Sequence, residues 1–296
     1  MVWLIWTAVA YGMNAVAVLI DKSLFFTRTI RQPAAYVVTI CTLGLLVFVL
    51  APWGFVVPDS WSLILSALAG LFFTVALWLL FISLQQGEAS RVTSFIGAWS
   101  PIFVLIVSYF LIGEKLSLLQ FSAFVLLVVG GFLIVNGKGG LTRNTLVTAL
   151  SSALGFALFY TLSKQVFTEI GFIPGLIWIR VTSFLVALLL LLIPTTWPAL
   201  KASFKVKVQA KLAFFTGQAA AAGSAILVNY AISLGSVTLV NALQGLQYVF
   251  LLILVALLSF KRPVLLKEEL GGGILVRKLM AIVLIGGGLA LIAYSV

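Results

Sequence analysis

A few polar side chains stand inside long apolar runs, and their spacing suggests the chemistry they could do. Asn241, Gln244, Gly245 and Tyr248 fall at i, i+3, i+4 and i+7, the spacing of one helical face, with Gln247 at its border. Gln218 and Asn229 are eleven residues apart, three helical turns, and share a face with Ala222 and Ala225. Asn14 lies deep in the first apolar run, on the face of Trp3 and Thr7, where Trp3 reads as an interface anchor. Amides both donate and accept hydrogen bonds. Such stripes suit a zwitterion or a polyol, and they equally suit hydrogen bonds between packed helices. Trp78, on a face with Phe81 and Gln85, and Trp99, beside Thr93, Gly97 and Ser100, read as packing or as path-lining groups. Arg180 is the one charge within an apolar run. A mid-helix arginine in lipid costs from about 2.5 to more than 10 kcal/mol. It therefore either snorkels its guanidinium to the membrane surface or faces a water-filled cavity, where carbonyl oxygens or a substrate anion pair with it.

The absent residue types exclude whole classes of chemistry. Histidine is missing and Cys41 is the one cysteine, so zinc hydrolase motifs, Ser-His triads, His-ligated haem and disulfide frameworks are ruled out. Asp21, Asp59, Glu88, Glu114, Glu169, Glu268 and Glu269 all stand at span ends or in loops, so no carboxylate is embedded as a proton relay. The chain is expected not to be an enzyme and to need no metal and no cofactor.

These groups have to be positioned by elements suited to lipid. The 296 residues are 63% hydrophobic and 8% charged, against about 45–50% and about 25% in a soluble domain. A spanning helix needs about 20 mostly apolar residues. Ten such runs follow one another, at 2–20, 34–52, 61–84, 92–112, 117–136, 145–166, 173–193, 211–234, 237–260 and 278–295. A membrane barrel would instead show alternating segments of about 10 residues. The fold class is therefore an all-α membrane protein. The net charge of +11 would suggest nucleic acid in a soluble chain. Here the charges lie in short loops between apolar runs, where they orient the protein and meet anionic lipid headgroups. With ten spans, fifteen Lys and Arg fall on the side opposite the N-terminus and two, Lys115 and Lys164, on the N-terminal side. By the positive-inside rule both termini lie outside the cytoplasm.

The chain also repeats an order of features. Val92-Thr93 opens the fourth run and Val237-Thr238 the ninth; Gly130-Gly131 in the fifth matches Gly286-Gly287 in the tenth. The offsets, 145 and 156 residues, place eleven extra residues in the last loop. Five spans is an odd number, so a second copy has to sit inverted. Inverted repeats are a recurring transporter architecture. The expected division is a first five-helix repeat over 1–136 and a second, inverted one over 137–296.

Ser100-Pro101-Ile102-Phe103, then Gly113-Glu114, then Gly130-Gly131 resemble the signature of the EamA domain, in the drug/metabolite transporter superfamily. The second half resembles it in layout, but Leu246 stands where Pro101 would be and the Gly-Glu element is lost. The resemblance implies two inverted five-helix repeats, with helices one to four of each lining a central cavity. It also implies transport of amino acids, sugars, nucleotide sugars, drugs or other metabolites, often outward. Relatives of this layout usually keep both termini in the cytoplasm, opposite to the loop charges here.

The expected function is a secondary carrier of a small polar or amphipathic metabolite, amino-acid-like and exported, working by alternating access in the plasma or inner membrane. The alternatives are a sugar or nucleotide-sugar carrier and a non-transport membrane protein. The expected partners are a small-molecule substrate and the lipid bilayer, with no nucleic acid. The loop charges predict that 194–210 and 261–277 face the cytoplasm. With Cys41 replaced, a cysteine introduced as Lys205→Cys should resist membrane-impermeant thiol reagents in intact cells, and one introduced as Asp59→Cys should react. The opposite labelling pattern would reverse the orientation.

Overall fold

The computed structural model describes residues 1–25, 32–87, 89–135, 141–203, 208–259 and 272–295, and every regular element among them is helical. The 261–271 part of the last long loop, with Glu268 and Glu269, and the loop lysines Lys205 and Lys207 lie outside the described residues. The helices are α1 (Val2–Phe25), α2 (Pro33–Gly44, continued by a 3₁₀ segment, Leu45–Trp53), α3 (Ser60–Gln86), α4 (Ala89–Ile112), α5 (Leu118–Val135) and α6 (Arg143–Ile170). They continue as α7 (Phe172–Leu189), α8 (Thr196–Ser203), α9 (Val208–Leu234), α10 (Val237–Ala242), α11 (Gly245–Ser259) and α12 (Gly272–Ser295).

Seven stretches are long and apolar enough to cross a membrane: Val2–Ile20, Pro33–Trp53, Ser60–Gln86, Arg91–Ile112, Arg143–Ile170, Phe172–Leu192 and Val237–Leu254. Two more, Leu118–Leu133 and Leu279–Ser295, are apolar but shorter. The eighth expected span is α9, whose described part mixes Gln218, Asn229 and Tyr230 with small residues and is not among the seven.

Helix boundaries follow local chemistry. Asp59 caps α3, its carboxylate accepting from the backbone N–H groups of Trp61 and Ser62 at 3.2 and 3.4 Å. The Ser62 side chain above all, and then these backbone donors, hold the Asp59 carboxyl below the usual carboxylate range. Ser117 and Gln120 bond reciprocally at the start of α5, a capping box. Gly113 at φ 66° follows α4, and Gly171 at φ 84° is the whole connection between α6 and α7. Both conformations are ones that a residue with a Cβ rarely adopts.

The ninth expected span is broken. Instead of one helix over 237–260, α10 ends at Ala242 and α11 begins at Gly245. Across the break, Gln244, Leu246 and Gln247 bond three residues back, to Asn241, Leu243 and Gln244. These are the tighter bonds of a 3₁₀ turn. The turn lies where Gly245 meets α12: a Cβ there would stand 3.1 Å from Ile285 Cδ1.

The described helices form two compact units, each taking elements from both halves of the sequence. One unit holds 1–23, 114–138 and 214–296; the other holds 24–113 and 139–213. In the first, α5 and α12 pack along each other through glycines. A Cβ at Gly130 would lie 2.8 Å from Ile285 Cγ1, and one at Gly288 would lie 2.7 Å from Leu127 Cγ. In the second, α3 packs against both α6 and α7. The Ser152 hydroxyl of α6 donates to the Ala76 carbonyl at 2.8 Å, and a Cβ at Gly155 would stand 2.9 Å from that of Ala76. On the α7 side, Thr182 donates to the Ser66 carbonyl at 2.8 Å and Thr74 to the Ser183 carbonyl at 3.0 Å. Small residues and hydroxyls are the usual means of joining helices in lipid, where burying apolar surface drives nothing.

Gly70 lies at the middle of that last contact, where a Cβ would come within 2.6 Å of the Ser183 backbone nitrogen. Backbone gives way less readily than a side chain, so Gly70→Ala should destabilise the protein by about 1–3 kcal/mol. A lowered unfolding temperature of the purified protein in detergent checks this; an unchanged one would show that the contact is loose.

Candidate functional site

In the first unit the polar groups gather where α1 meets α10 and α11. The Asn14 amide Nδ2 donates to Gln247 Oε1 at 2.8 Å. One turn earlier on α1, the buried Tyr11 hydroxyl donates to the Val240 carbonyl at 3.0 Å. Between them, Gly12 brings α1 within van der Waals reach of Phe250. The structure thus joins Asn14 to the residue that the sequence placed only at the border of the stripe.

The break explains the exchange. The i, i+3, i+4, i+7 pattern assumes 100° per residue, and a 3₁₀ turn advances about 120°. Asn241 stands in α10, Gln244 in the turn and Tyr248 in α11, so they do not lie on one face of one helix. Asn241 is buried, and its Nδ2 donates back to the Val237 carbonyl of its own helix at 2.9 Å. Gln244 and Tyr248 are partly buried.

Helix α9 approaches α1 with a different face. Ser224 donates to the Ala10 carbonyl at 2.8 Å, Gly223 meets the Met13 methyl, and the Tyr230 ring lies edge-on to Trp6 at 5.8 Å. Asn229 is buried and donates to the Ala225 carbonyl at 2.8 Å, while its Oδ1 is sealed without a partner. Gln218 is partly buried on the same face. Trp3, expected as an interface anchor, is instead buried against Gly235, where a Cβ would lie 2.6 Å from the indole Cγ.

One carboxylate has a role that its loop position did not show. Glu114 Oε2 accepts from the Thr238 hydroxyl at 2.5 Å and from the Thr238 backbone N–H at 3.3 Å. It therefore satisfies an orphan donor in the first turn of α10, where a negative charge is favoured by the helix dipole. The signal in the sequence was the pair Gly113-Glu114 together with Ser236-Val237-Thr238, whose Ser236 caps α10 through the Leu239 N–H at 3.0 Å.

The second unit holds Trp78, Trp99 and Arg180. Trp78 is partly buried against a cluster of Val37, Val38, Cys41, Leu77 and Ala187. Trp99 packs on Val92, Ile96, Ala149 and Ala153, with Phe95 and Phe103 at ring distances of 6.1 and 5.9 Å. The Arg180 guanidinium lies over the Phe73 ring, 4.5 Å from its centre, a cation–π contact that the sequence reading did not include. Among the described residues no group of His, Cys, Asp and Glu side chains could hold a metal ion.

Residues 1–136 match the EamA-like transporter family. A solved crystal structure has a similar fold, with a TM-score of 0.66 at 18% identity over 98% of this chain and 94% of its own. No curated protein sequence matches the chain.

The Asn14–Gln247 bond is measurable apart from any activity. Interhelical hydrogen bonds in membranes average about 0.6 kcal/mol and reach about 1.7. A double-mutant cycle of Asn14→Leu and Gln247→Leu, read by unfolding in detergent, should give a coupling energy in that range. A coupling of zero would mean that the two amides do not share a bond.

Proposed function

We propose, from the match of residues 1–136 to the EamA-like transporter family, part of the drug/metabolite transporter superfamily, that this multi-pass membrane protein is a secondary carrier of a small polar or amphipathic metabolite. It takes an amino-acid-like solute and moves it outward across the plasma or inner membrane by alternating access, without a cofactor. The observation that carries this reading beyond the family is the hydrogen-bonded amide pair Asn14–Gln247, on helices from opposite halves of the sequence. Polar groups within spans are costly and mark solute pathways by default. Asn229, Asn241, Gln244, Gln218 and Tyr248 complete the polar set of that unit, and Trp78, Trp99 and Arg180 belong to the other.

Two inverted five-helix repeats, 1–136 and 137–296, belong to the same proposal. The membership of the two units supports it. Counting spans along the chain, with α2 and its 3₁₀ segment as the second, α9 as the eighth, α10 and α11 as the ninth and α12 as the tenth, one unit holds spans one, five, eight, nine and ten. The other holds two, three, four, six and seven. A shift of five turns one, eight and nine into six, three and four, and exchanges five with ten and two with seven within their own units. The second support is a correspondence of position: Pro101, which lacks a backbone donor, lies within the continuous α4 at the place equivalent to Leu246, just before which the ninth span turns. Termini outside the cytoplasm follow from the loop charges.

Purified protein in liposomes should catalyse saturable flux of a neutral amino acid, and Gln244→Leu should raise the half-saturation constant several-fold with the same protein level. That corresponds to losing one hydrogen bond to the solute, about 0.5–1.5 kcal/mol. Flux no faster than in empty liposomes, across amino acids and sugars, would sink the carrier reading. Saturable sugar flux alone would move it to the sugar-carrier alternative.

A further inference from the structure

Arg180 stands eight residues into α7, about 12 Å from its start. Its guanidinium covers Phe73, which is the midpoint of the 27-residue α3, about 20 Å from either end. The charge is therefore held at mid-depth of the helices and does not snorkel to an end. The stem runs past Gly44, where a Cβ would lie 3.4 Å from Arg180 Cδ.

Among the described residues no carboxylate, carbonyl or hydroxyl accepts a hydrogen bond from Arg180, and its guanidinium lies over the Phe73 ring. The ionisable groups within electrostatic range are the Cys41 thiol and the Tyr160 phenol. The side chain is only partly buried, and its nitrogens are not among the sealed polar atoms left without partners. A guanidinium offers five donors in a planar fork. Among the described residues none of these donors is taken up by an acceptor.

The surroundings on the Phe73 side are aromatic. Phe73 lies 5.0 Å from Phe159, whose ring is 4.9 Å from Tyr160, and Phe156 stacks near Tyr160 at 6.4 Å. Phe156 and Trp99 both pack against the neighbouring cluster of Val92, Ile96, Ala149 and Ala153. The rings lead away from the single positive charge, and the other Lys and Arg of the chain stand at span ends or in loops.

We infer that Arg180 and the aromatic run from Phe73 to Phe156 form a subsite for an amphipathic monocarboxylate. The carboxylate takes the guanidinium fork in bidentate fashion, and an apolar or aromatic body lies along the rings. One guanidinium matches one carboxylate; a phosphate dianion or a dicarboxylate would leave charge unmatched at mid-depth. The inference rests on the carrier reading and narrows its solute class, but binding tests it without transport.

The experiment uses the full-length protein purified in detergent, with calorimetric titration of 3-phenylpropionate and of its uncharged isostere 3-phenylpropanamide at neutral pH. Wild type should bind the carboxylate at least tenfold more tightly than the amide. Arg180→Gln should abolish that preference, and Arg180→Lys should keep part of it, with unfolding temperatures confirming folded protein. Equal affinity of wild type for the two ligands, binding of neither, or a preference that survives in Arg180→Gln would each overturn the subsite. The wild-type comparison decides even if Arg180→Gln does not fold. Carboxylate binding through Arg180 without flux in liposomes would uphold the subsite and sink the carrier reading. Flux with no carboxylate preference would do the reverse.

Discussion

Lipid supplies no hydrogen bonds, and the packing of this chain follows from that single fact. Many hydroxyl groups within the described spans bond to carbonyls of their own or neighbouring helices. Thr7, Thr39, Thr42, Ser66 and Ser83 each donate one turn back along their own helix. Others join helices: Ser152 to Ala76, Thr182 to Ser66, Ser224 to Ala10. Such bonds need close backbones, and close backbones need small residues. Gly70, Gly155 and Gly223 lie in the same contacts as these hydroxyls.

The exceptions to full satisfaction are informative for the same reason. Asn229 Oδ1 is sealed without a partner, and Arg180 has an aromatic ring in place of an acceptor. In water either would be trivial. In a medium of low dielectric, an unmatched group is a cost that the fold has to offset elsewhere. Thr161, Ser163 and Thr196 bear such a cost as well, so it is not confined to the polar set expected to meet a solute.

The sequence disclosed most of the architecture, because long apolar runs and the Lys and Arg between them depend on composition alone. It disclosed less of the site. The stripe in the ninth span was read with a uniform helical period, and no residue type announced the turn at Leu243-Gln244; Gly245 was taken as part of the face. Gln247 became the partner of Asn14 because that turn altered the angular positions beyond it. Phe73 under Arg180 was invisible for another reason: two residues 107 positions apart meet only through the packing of α3 on α7. Glu114 was correctly placed outside the spans, but its contact with the first turn of α10 depends on tertiary structure.

Gly171 is the whole connection between α6 and α7. A link of one residue has no slack. Its φ of 84° is a conformation glycine adopts without the steric cost of a Cβ, so the chain passes from one helix to the next within one residue. Ser152 on one helix and Thr182 on the other both grip α3. Arg180 on α7 and the aromatic rings of α6 are thereby linked both through a single residue of chain and through their shared neighbour α3.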